Sequence, residues 1–188
     1  MGEGLRIVPS RRTIGLLAAT LIGAASVLVA TDYLQFFRTE PPLVAEPERA
    51  NLVRVEKGAR RLTLLRDGRV LATYPVSLGF TPIGHKRREG DGRTPEGRYR
   101  VEYRNPASVA HLSLKVSYPE AADRDAAAAR GEEPGGDIMI HGIMNGFGWL
   151  GPLHRLKDWT SGCVGVSNAE MEAIYARVDV DTPIEIRP

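Results

Sequence analysis

Arg61-Leu-Thr-Leu-Leu-Arg66, Asp67-Gly68 and Arg69-Val-Leu-Ala-Thr-Tyr-Pro-Val-Ser77 form the continuous stretch on which the fold class turns. Two alternating apolar runs flank an Asp-Gly step, a strong hairpin signal because such a turn needs positive φ where Gly is least strained. Just upstream, Leu52-Val-Arg-Val-Glu-Lys57 alternates in the same way, so a β-meander is expected to open the domain. Further strands are expected at 97–103, 111–117, 137–141, 163–166 and 183–187. Two helices interrupt them. The first, roughly Glu120 to Arg130, is alanine-rich and ends at Gly131, as helix C-termini often do. The second has Ser167 as N-cap and Glu170 three residues on, with Met171, Ile174 and Val178 at helical spacing. The expectation is a mostly β domain over residues 50–188 with two or three short helices.

Outward from that domain, composition narrows the class. The chain has 188 residues, 43% of them hydrophobic and 26% charged, enough for one sizeable core. A net charge of +2 without a basic run interleaved with aromatics argues against nucleic acid as a partner. A monomer is expected.

The N-terminus differs in kind. Arg6, Arg11 and Arg12 precede a run from Thr13 to Ala30 that carries no charge. About 20 apolar residues span a bilayer as a helix, and positive charge stays on the cytoplasmic side. The expected layout is a cytoplasmic stretch 1–12, a transmembrane anchor or signal segment 13–37, and a Pro-rich spacer 38–49. The folded part then lies outside the cytoplasm, tethered to the inner membrane by a single N-terminal helix. A cleaved signal peptide competes with a retained anchor, since Ala24-Ala25-Ser26 and Leu28-Val29-Ala30 offer small residues for cleavage.

Cys163 is the sole cysteine and so has no intramolecular partner. It is either a small buried hydrophobe or a nucleophile. A nucleophilic thiol needs a base nearby and backbone N–H donors aimed at the oxyanion. His141, at the end of an apolar strand and followed by Gly142, is the leading candidate base. His154, nine positions before Cys163, competes with it; His85 and His111 are expected in structural or surface roles. Gly162 permits a sharp turn beside Cys163 that presents N–H groups to a reacting carbonyl, an oxyanion hole. No zinc-ligand spacing, phosphate-cradling loop or Gly-x-Ser-x-Gly elbow is present in the sequence. The long segment from Gly79 to Gly97, rich in glycine, proline and charge, reads as a shaped functional loop or as a floppy connector.

Taken together, Ile140-His141-Gly142 and Thr160-Ser-Gly-Cys-Val-Gly-Val-Ser-Asn168 resemble the signature of L,D-transpeptidase catalytic domains of the YkuD type. Gly90-Asp-Gly-Arg-Thr-Pro-Glu-Gly97 and Asp158-Trp159-Thr160 extend the resemblance over about residues 50–188. It implies a β-sandwich-like or barrel-like fold that needs no cofactor and acts on peptidoglycan stem peptides. It also implies a Cys163 thioester acyl-enzyme, His141 as proton acceptor and donor, and the Gly142 carbonyl as orienter of the imidazole. Thr160, Ser161, Trp159, His154, Arg155 and Asn168 become candidate substrate contacts. L,D-carboxypeptidation, release of a wall-attached protein, and non-catalytic peptidoglycan binding remain open alternatives. The sequence departs from the family pattern at Ser161, where many members carry His, and at Gly165, where many carry Arg. Arg155 is the candidate replacement for that charge.

Overall fold

The computed structural model describes residues 40–188 together with Gly23 and Ser26. The expected cytoplasmic stretch 1–12 lies outside the described residues, as does the expected membrane segment 13–37 apart from those two positions. Among the described residues no helix is long and apolar enough to cross a membrane.

Eight strands form the frame: β1 Leu52–Glu56, β2 Arg61–Arg66, β3 Arg69–Pro75, β4 Gly97–Ser108, β5 His111–Val116, β6 Met139–His141, β7 Val164–Gly165 and β8 Pro183–Arg187. They lie side by side in the order β3-β2-β1-β8-β4-β5-β6-β7. The meander is built as the alternation requires: Val53, Val55, Leu62 and Leu64 are buried, and Asp67 (φ 51°) with Gly68 (φ 78°) makes the β2–β3 turn. The last strand joins the two halves of the sheet. β8 runs parallel to β1 and antiparallel to β4, burying Ile184 and Ile186 between them.

β4 runs further than the alternation suggests, to Ser108, by absorbing two register shifts against β5. The helices are α1 Ala121–Ala128 and α2 Asn168–Tyr175. The capping box of α2 is formed as expected, with Ser167 N–H donating to Glu170 Oε2 at 2.9 Å. Its Met171, Ile174 and Tyr175 are fully buried in the core with Leu114, Ile140, Val164 and Val166. Two 3₁₀ segments, Glu46–Glu48 and Gly148–Leu156, fall where no helix is expected; the second is broken at Gly151 (φ 48°) and contains Pro152.

The described part of the Pro-rich stretch lies against the domain. Val44 N–H donates to Ala176 O and Ala50 N–H to Arg177 O, which satisfies carbonyls beyond the last turn of α2. Arg66 adds an ion pair to Glu46.

Candidate active site

β6 and β7 pair in parallel with Ile140 opposite Val164 and His141 opposite Gly165. Cys163, immediately before β7, therefore lies beside Met139, whose N–H reaches Cys163 Sγ at 3.4 Å; the thiol lies 3.5 Å from the Asp137 carbonyl, which accepts from it. Alternate residues of a strand share a face, and adjacent strands run about 4.8 Å apart. Met139, His141 and Cys163 accordingly open onto one cavity of about 450 Å³. Trp159, Thr160 and Ser161 line it from the loop before Cys163, and Val109 and Ala110 from the β4–β5 turn. Cys163 is partly exposed, and Ser161 and Met144 are exposed at the rim.

His141 is 7% exposed, and its Nδ1 lies 2.6 Å from the Gly142 carbonyl. A carbonyl only accepts, so Nδ1 carries the proton and the Nε2 lone pair is left free to act as a base. Burial lowers the His141 pKa, against the Gly142 carbonyl, which raises it. Burial pushes the Cys163 thiol up, opposed by the Met139 N–H and the charge of Lys115. Both shifts favour the uncharged thiol and imidazole.

Gly162 sits at φ 131°, and a Cβ there would come 2.6 Å from the Arg93 carbonyl. Only glycine fits where the loop before β4 meets the turn into Cys163. The Gly162 N–H donates to Thr160 Oγ1 at 3.2 Å, and Thr160 Oγ1 donates to the Cys163 carbonyl at 2.8 Å. Thr160, buried, thus braces the turn that holds the sulfur.

Three of the other sequence candidates sit outside this cavity. Asn168 Oδ1 accepts from Ile143 N–H at 2.8 Å, fixing the chain just past His141. Arg155 is held by both oxygens of Glu170, at 3.2 and 3.1 Å. His154, 7% exposed, lines a neighbouring apolar cavity of about 260 Å³ with Ile143, Phe147, Leu150 and Leu153. Met144 and Trp159 border both cavities. The Trp159 Nε1–H donates to His154 Nδ1 at 3.4 Å, and burial lowers the His154 pKa to about 4.

Sequence reasoning missed the clasp behind the site. Asp158 takes two hydrogen bonds from Arg60, at 3.1 and 2.8 Å, and one from Leu78 N–H at 2.9 Å. Arg60 has φ 48°, a conformation with no side-chain signature, so the ion pair across 98 positions could not be anticipated.

No curated protein matches the chain. Among solved structures, the fold is similar to the helical cell shape determining protein Pgp2 from Campylobacter jejuni. The TM-score is 0.55 at 21% identity, over 86% of this chain and 54% of that one. It is also similar to Bd1075 from Bdellovibrio bacteriovorus, with a TM-score of 0.50 at 21% identity, over 79% and 51% of the two chains. This chain thus spans about half the length of those proteins, and at such identity the likeness establishes the fold. Residues 50–186 match the YkuD family model, the L,D-transpeptidase catalytic domain, and the chain belongs to that family.

Proposed function

We propose that this chain is a peptidoglycan L,D-transpeptidase in which Cys163 is the nucleophile and His141 its base. The observation that carries the reading is the shared cavity: a partly exposed thiol and an imidazole with a free Nε2 open onto the same space. Substrate binding displaces water and aligns the pair, so the proton of the neutral thiol passes to Nε2 as the sulfur attacks. The attacked carbonyl follows the third residue of a donor stem peptide. The C–N bond to the fourth residue breaks, the departing amine takes the proton from His141, and a thioester remains on Cys163. The amine of an acceptor stem then attacks the thioester, and its proton passes through His141 to the departing sulfur, which regenerates the thiol and the neutral imidazole. With Gly162 N–H occupied by Thr160, we assign the Cys163 N–H to the developing oxyanion.

The charge-free run from Thr13 to Ala30 supports action outside the cytoplasm from a membrane tether. A part in cell shape belongs to the same proposal, since Pgp2 is a helical cell shape determining protein.

Incubating the full chain with purified muropeptides and resolving the products by mass tests the activity. Cross-linked dimers are expected. Shortened monomers alone would make the enzyme an L,D-carboxypeptidase, and unchanged muropeptides with retained sacculus binding would make it a binding module.

A further inference from the structure

Position 165 is a glycine and offers no charge, and Arg155 is consumed by Glu170. A stem peptide carries carboxylates, which guanidinium groups bind in paired hydrogen bonds. The loop between β3 and β4 holds a cluster of such groups. A cavity of about 630 Å³ is lined there by Arg87, Arg88 and Arg93, with Thr81, Asp91 and Glu132.

The two acids in that cavity are already engaged. Asp91 accepts from buried Lys86 at 3.0 Å and from the backbone N–H groups of Arg87, Arg88 and Arg93. Glu132 pairs with Arg130 at 2.7 Å and lies 4.0 Å from Arg88. The guanidinium groups of Arg87 and Arg93 form no hydrogen bond or ion pair among the described residues. Asp91 and Lys86 thus shape a loop that presents Arg87 and Arg93 without a bonded partner, while Glu132 shares its charge among Arg130, Arg88 and Arg87.

Both walls of the cavity lead by the backbone to Cys163. On one side the Arg93 carbonyl abuts Gly162. On the other, Arg130 donates to the Arg87 carbonyl at 2.7 Å and Glu89 N–H to Glu133 O at 2.8 Å, stapling the loop to the segment that runs on to Asp137 beside the sulfur.

We propose that this cavity is a carboxylate subsite in which Arg87 and Arg93 hold the stem peptide, with Arg88 at the rim. The inference rests on the stem-peptide reading above and assigns to the β3–β4 loop a recognition role that position 165 cannot play. Guanidinium suits it, because its planar fork matches a carboxylate in paired hydrogen bonds.

Binding to the full chain carrying Cys163→Ala separates recognition from catalysis. The probes are a synthetic tetrapeptide stem with free carboxylates and the same peptide with every carboxylate amidated, each titrated calorimetrically. Arg87→Gln and Arg93→Gln are each expected to weaken the free-acid peptide about tenfold and to leave the amidated one unchanged, with Arg93→Lys recovering part of the loss. Equal losses for the two peptides, or none for either, would overturn the subsite. Arginine-dependent binding by a chain whose Cys163 never acylates would instead sink the catalytic reading and leave the subsite standing.

Discussion

Trp159 stands edge-on to His141, ring centroids 5.5 Å apart at 75°, in the space that a side chain at position 165 would need. A Cβ on Gly165 would meet Trp159 Cζ2 at 3.2 Å. The indole and the glycine are therefore one unit: the missing side chain makes room for the ring that walls the imidazole. Trp159→Ala is expected to slow Cys163 acylation about 10- to 100-fold, because a misplacement of roughly 1 Å in a reacting group costs on that order. Trp159→Phe should lose less. Gly165→Val, which drives the ring away, should resemble Trp159→Ala in time-resolved mass measurements of the acyl-enzyme.

The next ring along sets a pH dependence. Trp159 Nε1 is a donor only, so His154 Nδ1 must accept and the proton resides on Nε2. With its pKa lowered by burial to about 4, His154 stays neutral in the fold but binds a proton in the unfolded chain below about 6.5. The unfolded state thus binds more protons between those values, and stability present above pH 6.5 is lost as pH falls toward 4. His141, also lowered by burial, adds in the same direction. The melting temperature should fall across this window, and His154→Gln should flatten the fall while its side-chain oxygen keeps the acceptor for Trp159.

The sulfur is expected to rest as a thiol, which chemical labelling can read. Burial raises the Cys163 pKa and lowers that of His141, and both shifts favour the uncharged pair. Iodoacetamide alkylation of Cys163 is expected to be slow at pH 7 and to climb beyond the ordinary thiol range of about 8.5. A rate already at its plateau near pH 6 would indicate a thiolate–imidazolium pair and contradict the neutral resting state.

Asn168 acts on the backbone behind the base. Its Oδ1 bond to Ile143 N–H, 2.8 Å, fixes the chain just past the Gly142 carbonyl that orients His141. Asn168→Ala is expected to lower stability by about 1 kcal/mol. It should reduce kcat with KM nearly unchanged. A rise in KM alone would make Asn168 a substrate contact.

How much of this was legible depended on whether a feature is local. The meander, the Asp67-Gly68 turn and the Ser167 capping box are written in neighbouring residues, and the structure follows them. The pairing of β8 between β1 and β4 depends on residues more than 80 positions apart, and no local pattern encodes it. The Gly148–Leu156 segment escaped notice because Gly151 and Pro152 interrupt any helical period. At the site, residue type and motif singled out Cys163 and His141 as candidates, and the fold places both on one cavity. Arg155 looked free because Glu170 lies on another element, and only the fold brings the two together.

The most direct measurement is the intact mass of the full chain after brief exposure to a tetrapeptide stem, followed by peptide mapping. The account predicts a mass gain equal to the peptide less its fourth residue and the thiol hydrogen, located on Cys163 and absent from the Cys163→Ala and His141→Gln proteins. Processing of the peptide by the Cys163→Ala protein, or an adduct formed at full rate without His141, would contradict it.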